Sequence, residues 1–149
     1  MTTYTVKRLN SILCLDDNII KFLNEEIPNI SKLFDDKFDF NNCVIEGLIR
    51  AGYFLVVKRN GETTGLHVSF LSKSPFDFNC RILTQQLFYV KPESGRSAYH
   101  LFKKFIDIGK SEADHIITML TSQTNIKPET LNNMGFSELE TLYRMEVKK

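Results

Sequence analysis

Asn60-Gly61 stands between two runs, YFLVVKR and TTGLHVSFL, that are rich in β-branched and aromatic residues. Asn and Gly tolerate the left-handed backbone that a two-residue hairpin turn demands, so the pair joins two antiparallel neighbouring strands. Few other features restrict a chain so strongly, because a tight hairpin sets both the pairing and the register. A loop containing Ser74-Pro75 leads into a third β-prone run, RILTQQLFYV, which Val90-Lys91-Pro92 closes. Three consecutive strands therefore form a meander in the middle of the chain.

Helical spacing surrounds this meander. Tyr4 to Leu9 (YTVKRL) alternates as a half-buried strand does and opens the fold. From Leu15 the run LDDNIIKFLNEEI places Ile19, Phe22, Leu23 and Ile27 on one helical face, with Asp16 or Asp17 as N-cap and Pro28 as the expected stop. Val44, Leu48 and Ala51 repeat the pattern after Asn41 or Asn42, ending at Gly52. Beyond the meander a turn carrying Gly95 opens a long helix with Ala98, Leu101, Phe102, Phe105, Ile106 and Gly109 at helical spacing. The run HIITMLTS, a short helix PETLNNM, and Gly135-Phe136 before a final strand ELETLYRMEV complete the order βααβββαβαβ. This is an α/β (α+β) fold on a mixed sheet, and all 149 residues are expected to form one domain.

Composition excludes several functions. Nineteen basic and eighteen acidic side chains leave a net charge of +1, without the basic footprint of a nucleic-acid binder. Cys14, Cys43 and Cys80 are widely spaced and odd in number, which reads as reduced intracellular thiols and not as a metal or disulfide framework. No stretch approaches the roughly 20 apolar residues that span a bilayer, and the polar start MTTYTVKRLN has no signal-peptide core. Neither membrane nor metal is expected, and the compartment is the cytoplasm. There is no Gly-x-Ser-x-Gly elbow and no Walker-type loop.

A strand that feeds a turn and a helix offers unpaired N–H groups and a positive dipole end, a seat for phosphate oxygens. The segment Glu93-Ser94-Gly95-Arg96-Ser97-Ala98 is placed to be that seat. Together LFYVKPESGRSAYHLFKKF, ADHIITMLT and LNNMGFSELETLYRMEV resemble the second half of a GNAT-superfamily N-acyltransferase. Val90, Pro92 and Glu93 match the end of that family's fourth strand, Gly135-Phe136 match the close of its last short helix, and VVKRNGETTGLHVSF resembles its second and third strands. The flavour is most similar to small GNAT proteins of bacteriophage genomes, which implies a host cytoplasm.

The resemblance implies an acyl-coenzyme A, most simply acetyl-coenzyme A, whose pantetheine arm pairs with the free backbone of Leu87, Phe88, Tyr89 and Val90 beyond a bulge. It implies a pyrophosphate on the amides of Gly95 through Ala98, with Arg96 and the Ser97 hydroxyl as further contacts. Tyr99 and Asn125 complete the cofactor-binding set. The family's turn is Arg or Gln, two residues, Gly, one residue, then Gly or Ala, and PESGRSAYH departs from it. With Gly95 as the glycine, Pro92 and Ser97 occupy the other positions; with Ser94 in the first place, Ser97 and Tyr99 do.

Acyl transfer to an amine needs a base for the ammonium proton and an acid for the departing thiolate. Gln86 stands where many family members carry a Glu on the fourth strand, and Leu131 where they carry a Tyr. Gln86 can position an amine or water but cannot take its proton. His67 is the candidate substitute base and Tyr143 the candidate acid, with packing as the competing role of each. The expected acceptor is a primary amine on a small molecule or a protein, and the chain is expected to be a monomer or a homodimer. Phe/Asp alternation in FDDKFDF and SPFDFN suits a cationic acceptor or a partner surface. The rival expectation is a GNAT fold that has lost catalysis and binds a partner protein.

Overall fold

The computed structural model describes residues 1–33, 41–119, 126–138 and 145. The expected final strand, Tyr143, Asn125 and the FDDKFDF segment lie largely or wholly outside the described residues. The chain opens with β1 (Tyr4–Leu9), a single 3-10 turn (Ile12–Cys14), α1 (Asp17–Lys32) and α2 (Asn42–Arg50). It continues with β2 (Phe54–Arg59), β3 (Glu62–Lys73), β4 (Arg81–Val90), α3 (Ser97–Glu112), β5 (His115–Ile117) and α4 (Pro128–Asn133). The five described strands form one sheet in sequence order, antiparallel except for the parallel β4–β5 pair.

Asn60 and Gly61 have φ of 50° and 84°, the paired left-handed geometry of a two-residue hairpin. The strands alternate their side chains between two cores. Val56, Leu66, Val68, Leu87 and Tyr89 meet α1 and α2 on one face, while Leu55, Val57, Leu83, Phe88 and Val90 meet α3 on the other. The α3 helix is tied to β1 at both ends: the Tyr4 ring stacks on His100, 4.5 Å between centroids, and Arg8 bonds Glu112 at 2.7 Å.

Two local expectations are corrected. Pro28 does not stop α1, which runs on to Lys32, because Ile30 beyond the proline is fully buried and its packing outweighs the missing hydrogen bond. In α2 the most buried residues are Ile45 and Ile49, with Val44 and Leu48 packed at the margin. Both pairs are spaced by four, so spacing alone cannot choose which stripe faces the sheet. The expected cap is present, the Asn41 side chain accepting from the amides of Cys43 and Val44.

Candidate functional site

A bulge in β4 organises the site. Leu87 faces Val68 and Gln85 faces Ser69, so Gln86 has no partner across the β3–β4 ladder. On the other edge, β5 pairs with β4 only from Ile82 to Thr84. At the next residue the backbone ladder gives way to a side chain: Gln85 donates to the Met119 carbonyl at 3.0 Å and accepts from the Thr118 hydroxyl at 2.7 Å. The Gln85 side chain thus fills the apex where the two strands part.

Beyond the apex no described strand pairs with the second side of β4. The Lys91 amide bonds the Thr64 carbonyl, and Leu66 stands opposite Tyr89, so alternate residues bond β3. The N–H and C=O groups of Phe88 and Val90 consequently point away from β3, towards the side on which no described strand pairs. That edge leads to the turn before α3.

Glu93 and Gly95 both take left-handed backbone, with φ of 60° and 64°. Alternating handedness of this kind converges successive amides into a concave anion seat. No side chain caps α3, so the amides of Ala98 and Tyr99 have no partner among the described residues. A cleft of about 680 Å³ opens here, lined by Asn29 and Lys32 of α1, residues 89–95 and Ala98. A second cavity of about 240 Å³, between α3 and α4, shares Gly95 and Ala98 and adds Arg96, Tyr99, Phe102 and Met134. Lys32 and Arg96 bring positive charge to this region, while Lys91 is paired with Glu25 and Glu26 at 4.0 and 3.8 Å and Glu93 lines the cleft beside it. In the wall of the first cleft Tyr89 donates to Glu26 at 2.5 Å. Burial and the carboxylate together hold the phenol well above its ordinary range. Burial works against ionisation of Glu26, but hydrogen bonds from Tyr89 and Asn29 and the nearby Lys91 keep its carboxyl below the usual value.

The fold has many structural counterparts. An aminoglycoside acetyltransferase from an uncultured soil metagenomic sample superposes with a TM-score of 0.64 at 14% identity, over 98% of this chain and 99% of that one. The aminoglycoside N-acetyltransferase AAC(6')-Iy, in complex with CoA, gives a TM-score of 0.63 at 11% identity, over 100% and 97%. A predicted acetyltransferase from Clostridium acetobutylicum, with acetyl-CoA, gives 0.60 at 11% identity, over 98% and 96%. The fold is that of the GNAT acetyltransferases. No protein-family model matches the sequence, and no curated protein matches it.

Within this fold the expected site residues separate into four groups. Phe88, Tyr89, Val90, Gly95 and Ala98 lie along the open edge of β4 and the turn, and Leu87 stands just past the bulge. Arg96 and Tyr99 line the smaller cavity, the guanidinium 4.6 Å from the Tyr99 ring centre. Gln86 is exposed at the bulge. Ser97 and His67 are sealed inside. The Ser97 hydroxyl is fully buried, donating to the Ser94 carbonyl and sharing a hydrogen bond with Thr64, which turns it away from any phosphate. Two of the four expected amides are also committed, that of Arg96 to the Tyr4 hydroxyl and that of Ser97 to the Ser94 carbonyl.

His67 is completely buried between Phe88 and Phe105, and neither ring nitrogen completes a hydrogen bond among the described residues. Desolvation lowers its pKa to about 3. The Gln85 side chain opposes this only weakly, being engaged by Thr118 and Met119. The ring packs; it does not meet solvent or the cleft.

Sequence reasoning passed over Gln85, Asn29 and Lys32. A signal for Gln85 exists: two adjacent polar residues break the alternation of an otherwise apolar strand, as a bulge does. A Cβ on Gly95 would overlap the Tyr4 hydroxyl and come within 3.3 Å of the Arg59 guanidinium. A side chain there points beneath the turn, away from the cleft. Gly95→Ala should therefore lower stability by about 2 kcal/mol, combining left-handed strain with the clash. Adding Tyr4→Phe, which deletes the overlapped atom, should restore part of the loss in thermal unfolding; no restoration would show that strain alone acts.

Proposed function

We propose that this protein transfers an acetyl group from acetyl-coenzyme A to a primary amine of a small molecule. The observation that carries the reading is the parting of β4 and β5 at Gln85–Gln86, which leaves backbone with no strand partner among the described residues leading to the uncapped start of α3. An extended pantetheine arm matches the unpaired groups of Phe88 and Val90 as an added strand would. The diphosphate matches the open amides of Gly95, Ala98 and Tyr99 with Lys32, Lys91 and Arg96 nearby. The cosubstrate supplies an activated thioester carbonyl; the protein supplies alignment, which alone removes a large entropic barrier. The amine class is supported by neighbours of the same fold, one in complex with sisomicin and one with a bisubstrate analogue of CoA and an acetylneamine.

Calorimetric titration with acetyl-coenzyme A tests this. A Kd on the order of 1 μM is expected for the parent protein, and at least a hundredfold weaker binding for Ala98→Glu. Ala98 lines both cavities beside the open amides, so the new carboxylate would oppose the phosphates directly. Thiol release should then depend on an added amine, screened first among aminoglycosides. Absence of binding by the parent protein would sink the reading. A second reading, a GNAT fold that binds a partner without turnover, is favoured by two observations: Gln86 cannot accept a proton, and His67 is sealed in the core.

A further inference from the structure

The turn before α3 lacks the Arg or Gln and the second small residue that the GNAT pattern uses to shape it, yet its backbone is closely supported from below. We propose that Tyr4 and Arg59 are the positioning residues of this turn, substituting from the first two strands for the missing motif. The proposal rests on the acyl-coenzyme A reading of the turn.

Tyr4 and Arg59 are directly opposed in the β1–β2 ladder, so their side chains share a face, the one that α3 covers. Both reach the same four residues. The Tyr4 hydroxyl accepts from the Arg96 amide at 2.9 Å. Arg59 donates through Nη1 to the Glu93 carbonyl at 3.2 Å, and Glu93 is the non-glycine residue held at φ of 60°. A left-handed Glu persists only where its surroundings over-determine it. Between these anchors lies Gly95, whose missing side chain leaves the space that Tyr4 and Arg59 occupy.

Two further observations point the same way. The Arg59 Nε is buried with no hydrogen-bond partner among the described residues, although its guanidinium sits against Gly95. A guanidinium held there places a fixed positive charge behind the amides, on the side opposite the cleft. The Tyr4 ring is itself locked by stacking on His100, so its hydroxyl is aimed and not free to rotate away. By satisfying the Arg96 amide from beneath, Tyr4 turns the neighbouring Gly95, Ala98 and Tyr99 amides outward as the set left for an anion.

The test compares coenzyme A binding with unliganded stability in Tyr4→Phe, Arg59→Gln and Arg59→Lys. Tyr4→Phe keeps the ring and removes only the hydroxyl; its coenzyme A Kd should rise roughly tenfold while its melting temperature stays within about 2 °C of the parent's. Arg59→Gln should weaken binding by a similar factor, and Arg59→Lys, which keeps the charge, should recover most of it. If the parent binds coenzyme A and all three variants bind equally well, the inference falls and the acyl-coenzyme A reading stands. A loss of affinity in Tyr4→Phe matched by a fall in melting temperature, with no recovery in Arg59→Lys, would reduce both residues to ordinary packing. No binding by the parent overturns both.

Discussion

Lowering the pH from 7 to 4.5 should remove about 3 kcal/mol of folding stability, chiefly through His67. The ring is buried with no hydrogen bond completed among the described residues, and desolvation, only partly opposed by Gln85, lowers its pKa from an ordinary 6.5 to about 3. An unfolded chain takes up that proton below 6.5 and the folded one does not. The stabilisation is complete above pH 6.5, declines as pH falls, and is lost by about pH 3, a total near 5 kcal/mol at about 1.4 kcal/mol per unit. That is a large share of the stability of a typical domain. His100, also lowered, by partial burial and by Arg96 and Lys103, adds a smaller loss in the same window. Asp16, Glu26 and Glu112 are held below their ordinary values, so their contributions are lost only at lower pH. Urea unfolding between pH 7.5 and 4.5 separates these effects. His67→Leu, apolar and of similar size, should flatten the dependence over that interval; an unchanged slope would mean that His67 is protonated in the folded state.

The same histidine shows where the sequence stops being legible. A strand histidine is compatible with a base in a cleft or with a ring in a core, and what decides is the arrival of Phe105 from α3, thirty-eight positions along the chain. The elements themselves are set by short-range chemistry, and these are readable: the Asn60-Gly61 hairpin, the Asn41 cap and the alternation of β2 and β3. The uncapped start of α3 is readable too, since Gly95 precedes a strong helical repeat. The underside of the turn is not, because the Tyr4 hydroxyl meets the Arg96 amide across 92 positions. Ser97 fails for a related reason: its hydroxyl reads as a phosphate ligand until Thr64 and the Ser94 carbonyl claim it. The bulge lies between these cases, visible in the doubled Gln85-Gln86 but located only by the register with Val68 and Ser69.

Gln86→Glu should raise the rate of the proposed acetyl transfer by about 10²-fold, because general-base assistance typically contributes 10²–10⁴. Gln86 is exposed and lies at the unpaired residue of the bulge, where the free edge of β4 begins. A carboxylate of nearly the same shape fits there without repacking, and an exposed substitution changes stability by only about 0.5 kcal/mol. The difference between the two side chains is chemical: an amide can hold an amine or a water by hydrogen bonds, but it has no site at which to store the proton. In the parent protein that proton must leave to solvent, so the rate should climb with pH towards the ordinary range of an amine. In the variant a rising limb near the ordinary range of a carboxylate should appear, with the KM for acetyl-coenzyme A unchanged, because the substitution lies away from the turn before α3. The pH profile of thiol release in parent and variant reads both features. A variant no faster than the parent, with the same profile, would place the proton acceptor elsewhere and make Gln86 a residue that orients the amine and nothing more.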